Sequence, residues 1–221
     1  GKTANNTKIP VTVVYSDDKG ENWTTCELDK IYTADYYYVK FFDSDNGVIV
    51  CGYAKSNDTN ESSRIYSTSN GGESWDIVGS GPATNIIKGV VYVSSDVGFF
   101  CYDYVEGMDS NLYKTDDGGK TFAKVMLEEQ ELDSSAANPQ GQETETKTDS
   151  GKNGADSSEQ LRWGDVYKEA LTPVVDSTGI ITIYLTQGKN AVYNDGKTAA
   201  KYQSSDKGST WKYIGQVEIK D

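Results

Sequence analysis

The chain has 221 residues and a formal net charge of −13, and 16 of its residues are tyrosine. It has no histidine and only three cysteines, which excludes Ser–His and Cys–His catalytic pairs and zinc sites with imidazole ligands. It has no cluster of basic residues and no apolar run near the roughly 20 residues of a membrane span. We therefore expect no nucleic-acid partner, no membrane span, no metal and no cofactor.

The first predicted element is half of a β unit, in residues 9–32. Val11 to Tyr15 are β-forming residues, and they lead into Ser16-Asp17-Asp18-Lys19-Gly20-Glu21-Asn22-Trp23. A hydroxyl residue, an Asp two positions later and a Gly two beyond that suit a tight turn. Short side chains accept hydrogen bonds from nearby backbone N–H groups, and Gly adopts φ > 0 at little cost. The segment predicts a β-hairpin with a turn held by side chains.

The same pattern returns three times along the chain, in Thr68–Trp75, Thr115–Phe122 and Ser204–Trp211. The closing aromatic residues are 52, 47 and 89 residues apart. The polar stretch 128–160 accounts for 33 residues of the last interval and leaves 56. A period of about 50 residues with repeated strand–turn–strand patterns is typical of propeller blades.

These four turns resemble Asp-boxes, also called bacterial neuraminidase (BNR) repeats, which occur in sialidases, other glycosidases, sortilin-type receptors and non-catalytic assembly factors. The matching positions are Asp18, Gly20, Trp23, Asn70, Gly72, Trp75, Asp117, Gly119, Phe122, Asp206, Gly208 and Trp211. Asn70 and Phe122 depart from the usual Asp and Trp but keep the turn chemistry. The resemblance implies an all-β, β-propeller-like array of four-stranded antiparallel blades. It implies that each box is a structural turn between the two outer strands of a blade, remote from the ligand-binding face. It also implies a location outside the bacterial cytoplasm, secreted or at the cell surface.

We predict a single domain over 1–221 with about three and a half to four blades. Its parts are a half blade at 9–32, blades at 33–80, 83–127 and 161–220, and an acidic low-complexity insert at 128–160. The insert lacks the apolar residues that a packed core needs. Three ways to complete the ring stay open: an irregular fourth blade, a longer natural chain, or closure in a homodimer. The leading Gly1 favours trimming of at least a leader.

The segment from Tyr36 to Phe42 carries large apolar side chains on both faces of its predicted strand. Because side chains alternate along a strand, one face carries Tyr37, Val39 and Phe41. The opposite face carries Tyr36, Tyr38 and Phe42. We therefore predict a strand that is buried on both faces between neighbouring blades.

The cysteines Cys26, Cys51 and Cys101 are an odd number without CxxC spacing. Cys51 and Cys101 are flanked by Val, Phe and Tyr, and we interpret them as small buried apolar residues rather than disulfide partners or metal ligands.

Two enzyme classes can be weighed by counting residues. A sialidase holds its substrate carboxylate with three arginines, and this chain has only Arg64 and Arg162, so we do not expect a sialidase. Other glycoside hydrolases need a pair of carboxylates. Asp103 and Asp165, and also Asp35, come near the ends of predicted inner strands and are the candidates for such a pair.

The favoured hypothesis is a non-catalytic module that binds a protein or glycan through aromatic residues at the strand ends opposite the boxes. The candidate rings are Trp163, Tyr102, Tyr104, Tyr36 and Tyr38, because tyrosine and tryptophan stack well on sugars and on protein surfaces. A glycoside hydrolase with a carboxylate pair and an assembly or scaffold factor are the alternatives.

Overall fold

The computed structural model of the protein describes residues 9–53, 63–82, 85–132, 162–188 and 193–219. These residues form four antiparallel sheets, which we number I to IV in chain order. Sheet I pairs β1 (Thr12–Tyr15) with β2 (Thr24–Glu27). Sheet II contains β3 (Tyr36–Phe41), β4 (Gly47–Gly52), β5 (Ser63–Thr68) and β6 (Asp76–Ser80), paired in that order.

Sheet III repeats the order of sheet II with β7 (Ile87–Tyr92), β8 (Gly98–Tyr102), β9 (Leu112–Thr115) and β10 (Ala123–Lys124). A one-turn helix, α1 (Trp163–Val166), precedes sheet IV. Sheet IV contains β11 (Glu169–Ala170), β12 (Val174–Val175), β13 (Ile181–Thr186), β14 (Thr198–Ser204) and β15 (Lys212–Glu218). Both β11 and β12 pair with β13, and Pro173, which has no N–H to donate, stands between them.

The fold is therefore an all-β, propeller-like array of antiparallel sheets. Within the described ranges no strand pairing joins sheet I to sheet IV, so backbone hydrogen bonds do not close the array into a ring. Of the insert at 128–160, only 128–132 belong to the described residues. There the Tyr202 hydroxyl donates to the Glu128 carbonyl at 2.6 Å, and Leu132 packs on the apolar cluster that contains Tyr202.

The four repeat turns, at 16–23, 68–75, 115–122 and 204–211, share one hydrogen-bond pattern. In the third, the Thr115 hydroxyl donates to Asp117 Oδ1 at 2.8 Å and accepts from the N–H of Gly119 at 2.8 Å. Asp117 also accepts from the backbone N–H and the hydroxyl of Thr121, at 2.9 and 2.6 Å. Gly119 has φ of +108°, which explains a glycine at this position.

Each repeat turn joins the last two strands of its sheet. The later turns also pack against the preceding sheet: Gly208 lies so close to Phe99 of sheet III that an added Cβ would be 2.5 Å from the ring. Trp211 meets the same ring edge-on, with centroids 6.0 Å apart. No described sheet precedes sheet I, and Trp23 of the first repeat turn is accordingly 64% exposed.

Apolar side chains fill the spaces between successive sheets. The Tyr36 and Tyr38 hydroxyls of β3 accept hydrogen bonds from the N–H groups of Val90 and Tyr92 in β7, at 3.0 and 3.1 Å. The core between sheets II and III consists of Val48, Val50, Ile65, Ile87, Val90, Tyr92, Phe100 and Tyr102. Sheets III and IV enclose a second core that includes Phe99, Ile181 and Ile183.

The prediction that β3 is buried on both faces is wrong. Tyr36 and Tyr38 face sheet III, but on the opposite face Tyr37, Val39 and Phe41 are 51%, 56% and 43% exposed. The reason is the width of sheet I. Its two strands cover β4, where Ile49 is 2% exposed, but they do not extend over β3.

Candidate functional site

A cleft of about 390 Å³ lies between sheets III and IV, at the end of the strands opposite the repeat turns. Its walls are the segment between β8 and β9, the residues after β10, and the start of sheet IV with α1. In an antiparallel sheet successive connections alternate between the two ends. The β8–β9 connection therefore lies at the end opposite the turn that joins β9 to β10.

Asn111 forms the floor of the cleft and is 1% exposed. Its amide nitrogen donates to the carbonyls of Tyr102 and Ala170 at 2.8 and 2.9 Å, and its amide oxygen accepts from the N–H of Ala170 at 2.8 Å. One side chain thus connects β8 in sheet III with β11 in sheet IV. Ser110, next to it, exchanges hydrogen bonds with the backbone of Leu112. The side chains of Asn111 and Ser110 are thus satisfied internally.

Ion pairs occupy the rim. Lys168 at the start of sheet IV donates to Glu106 of the β8–β9 connection at 2.8 Å, and this bond raises the lysine's pKa. Arg162 contacts Asp165 at 3.2 Å within the α1 segment. Lys124 contacts Asp109 at 2.7 Å, which lowers the pKa of the Asp109 carboxyl.

Between floor and rim, the wall is apolar. Met126 is 64% exposed, and Met108, Leu127, Leu185 and Tyr104 also line the cleft. Partial burial raises the pKa of the Tyr104 hydroxyl. The Met108 sulfur accepts from the Asn85 amide at 3.3 Å, which ties the β8–β9 connection to the start of sheet III. The cleft therefore has flexible thioether and aromatic walls that can adapt to a partner.

Of the three carboxylates proposed for glycoside hydrolysis, Asp165 lines the cleft, and Asp103 and Asp35 do not. Asp103 is paired with Lys88 at 2.9 Å. Asp35 donates its N–H to the Gly52 carbonyl in sheet II. The structure does not bring the three together. The other carboxylates that line the cleft are Asp109, which is paired with Lys124, and Glu129, which lies over Gly164.

Only one of the five candidate rings lines the cleft with an accessible surface. Tyr102 is fully buried with its hydroxyl 3.2 Å from Ser63 Oγ, and Trp163 is 4% exposed. Neither offers a ring face to a partner. Tyr36 and Tyr38 pack on sheet III, whereas Tyr104 is half-buried in the cleft wall.

The sequence reasoning missed other residues of the cleft, among them Asn111, Met108, Met126 and Glu129. Asn111 looks like an ordinary turn residue, because nothing local shows that its partners lie 59 positions away at Ala170. Met126 and Glu129 follow β10, at the boundary of a polar stretch that carries no strand pattern. The sequence candidates that do line this region are Tyr104, Trp163 and Asp165.

Elsewhere, a smaller cavity of about 220 Å³ lies on the repeat-turn side, between sheets II and III. In the described part of the chain no three acidic or cysteine side chains are grouped as metal ligands would be. The described residues also include no helix long and apolar enough to cross a membrane.

Comparison with known proteins gives matches among solved structures. One is the GH74 enzyme of Niastella koreensis, which is 17% identical over 92% of this chain and 26% of that chain, with a TM-score of 0.44. This chain thus spans about a quarter of that enzyme's length. Another is YCF48 bound to a D1 peptide, 15% identical over 93% of this chain and 76% of that chain, with a TM-score of 0.35. No family model matches the sequence, and no curated protein matches it.

Proposed function

We propose that the chain is a non-catalytic protein-binding module that acts outside the cytoplasm, and that its partner inserts apolar side chains into the cleft between sheets III and IV. The observation that carries the proposal is the accessible apolar wall of Met126, Met108 and Tyr104 over a floor whose polar groups are already bonded. A cleft of about 390 Å³ is large enough for two or three side chains of a partner loop.

A protein partner fits this chemistry better than a glycan does. Sugar recognition needs inward-facing hydrogen-bonding groups that are free to pair with hydroxyls, together with an open ring face. Here the side chains of Asn111 and Ser110 are already hydrogen-bonded to backbone groups, and the Trp163 ring is buried. Exposed methionines are frequent on surfaces that bind proteins by induced repacking.

A non-catalytic role fits the carboxylates. A glycoside hydrolase needs one carboxyl to hold a proton and a second at a defined separation. Asp165 is paired with Arg162 at 3.2 Å at the rim of the cleft. Asp103, its predicted companion, is paired with Lys88 outside the cleft. This leaves Asp165 without the partner that the hydrolase hypothesis assigned to it.

Site-specific photo-crosslinking tests the proposal. A benzophenone amino acid is placed at position 126 in the cleft, and in a second protein at position 174. Val174 is the matched control because it is 59% exposed, close to the 64% of Met126, and it lies in β12 near the repeat-turn end. In cells of the source organism we expect one discrete partner to crosslink from position 126 and not from position 174.

Variants then establish the chemistry of binding. Met126→Glu and Tyr104→Ala should weaken binding of the captured partner at least tenfold, whereas Val174→Glu should leave it unchanged. A glycan that binds wild type and is lost with Tyr104→Ala would replace the protein proposal by a glycan-binding one. Hydrolysis of an aryl glycoside that Asp165→Asn abolishes would overturn the non-catalytic role.

A further inference from the structure

The open face of β3 and the free edge of β1 form a second surface, separate from the cleft. Tyr37, Val39 and Phe41 point away from sheet III and are 51%, 56% and 43% exposed. Three large apolar side chains at alternate positions of one strand form a stripe of the kind that marks interaction sites. The stripe occupies β3, an edge strand of sheet II that pairs with β4.

The stripe is one strand wide. On β4, the register partners of Tyr37 and Val39 are Cys51 and Ile49, and these are 0% and 2% exposed. They are covered by a cluster that includes Leu28, Ile31 and, from the β1 segment, Val11 and Val13. The cover provided by sheet I thus ends between β4 and β3. One further strand beside β1 would extend it over the stripe, since strands in a sheet lie about 4.8 Å apart.

The backbone of β1 can accept such a strand. Val11 donates its N–H to Ile31 and accepts from Leu28, so both of its polar groups face the β2 side. Alternation along the strand then directs the N–H and C=O groups of Thr12 and Val14 to the other edge. Among the described residues, β1 pairs only with β2, and no strand occupies that edge.

The chain segment that carries this surface is acidic, which favours a basic partner. Residues 11–53 contain eight acidic side chains and three lysines. The acidic residues are Asp17, Asp18, Glu21, Glu27, Asp29, Asp35, Asp43 and Asp45. Lys40 is turned to the other face of β3, where its ammonium donates to the Tyr92 carbonyl. An approaching strand with outward lysines or arginines would meet a field of opposite sign.

We propose that this surface binds an extended segment of a partner protein in which apolar and basic residues alternate, added as a strand to the free edge of β1. Backbone pairing holds the segment, and its three apolar side chains cover Tyr37, Val39 and Phe41. This is β-strand addition, in which main-chain bonds supply affinity and alternate side chains supply specificity. The site is independent of the cleft, and each can be lost without the other.

The test uses a heptapeptide of alternating lysine and valine with blocked termini, added to the full chain and followed by calorimetry and by amide hydrogen exchange. We expect saturable 1:1 binding that weakens as salt is raised, with new protection at Thr12 and Val14. The same peptide with glutamate in place of lysine should bind at least tenfold more weakly. Saturable binding that is equal for the lysine and glutamate peptides would overturn the basic preference.

Three variants separate strand addition from other contacts. Val39→Asp should weaken binding at least tenfold, because it charges the stripe. Val14→Asp is the matched control. The Val14 side chain is 53% exposed and lies on the face of β1 that is turned away from sheet II, so binding should persist. Val14→Pro removes one N–H from the free edge and should weaken binding without disturbing the β1–β2 ladder.

Several results would overturn the proposal. Full binding by Val14→Pro would mean that the peptide lies on the stripe without pairing with β1. Amides of Thr12 and Val14 that are already protected in the free monomer would mean that the chain itself covers the edge. A dimeric mass that Val39→Asp converts to a monomer would assign the surface to a second copy. Absence of binding by the lysine–valine peptide would refute the site as stated.

Discussion

Replacing Asn111 with alanine removes the side chain that joins sheets III and IV beneath the cleft. The change deletes three hydrogen bonds of 2.8, 2.9 and 2.8 Å to Tyr102 and Ala170. It leaves the Ala170 N–H and the carbonyls of Tyr102 and Ala170 with fewer hydrogen-bond partners. Water does not reach this site, since Asn111 is 1% exposed. Each buried group left unsatisfied costs about 1–3 kcal/mol.

We therefore expect the free energy of unfolding to fall by about 3–5 kcal/mol, a large part of the roughly 5–15 kcal/mol of a typical domain. Urea unfolding followed by tryptophan fluorescence measures this as a lower midpoint at an unchanged slope. The matched control is Asn85→Ala. Asn85 donates to the Asp103 carbonyl at 3.1 Å and to the Met108 sulfur at 3.3 Å from a half-buried position, and its loss should cost about 1 kcal/mol.

An Asn111→Ala protein whose free energy of unfolding lay within about 1 kcal/mol of wild type would contradict this expectation. Such a result would mean that the apolar core between sheets III and IV holds the two sheets together without the Asn111 hydrogen bonds. The floor of the cleft would then not depend on Asn111. A loss no larger than that of the control would lead to the same conclusion.

Three further predictions concern the repeat turns and the thiols. Hydrogen bonds in the first repeat turn lower the pKa of Asp18 to about 2, so its contribution is present above the unfolded pKa near 4 and is lost as pH falls toward 2. Asp18→Asn should therefore flatten the fall of stability over that interval, and an unchanged acid profile would contradict this. Asn70→Asp should give the second repeat turn the same acid sensitivity, seen as a steeper loss of stability below pH 4. Burial raises the pKa of Cys51 and Cys101 to about 12, so a thiol reagent should label only the half-buried Cys26 in the native protein and all three thiols after unfolding.

The turns could be predicted from sequence because their chemistry is local. In each one the hydroxyl residue, the Asp or Asn and the Gly lie within five positions, and the bonds that hold the turn join those same residues. The period of these turns was enough to predict an all-β array of antiparallel sheets. The prediction did not depend on knowing which sheets pack together.

The exposure of individual side chains could not be predicted in the same way. Val39 lies in a segment whose apolar pattern predicts a strand buried on both faces. It is nevertheless 56% exposed, because the neighbouring sheet I has only two strands. From its position at a strand end, Tyr102 is predicted to be an accessible ring. It is buried because its hydroxyl reaches Ser63 of sheet II, 39 positions away. Both outcomes depend on what the adjacent sheet contributes, which no local pattern contains.

The candidate site was predicted in part, by its end of the fold and by three of its lining residues, Tyr104, Trp163 and Asp165. The repeat turns occupy one end of the strands, and the cleft lies at the other. Asn111, which forms its floor, could not be identified because its function depends on contact with Ala170 across two sheets.

The most direct test of the account compares the two ends of the molecule in one binding measurement. The partner crosslinked from position 126 is titrated against wild type, Met126→Glu in the cleft and Asp18→Asn in the first repeat turn. We predict that Met126→Glu raises the dissociation constant at least tenfold, about 1.4 kcal/mol, while Asp18→Asn leaves it unchanged. Equal affinity for Met126→Glu and wild type, or a comparable loss with Asp18→Asn, would contradict the assignment of binding to the cleft opposite the repeat turns.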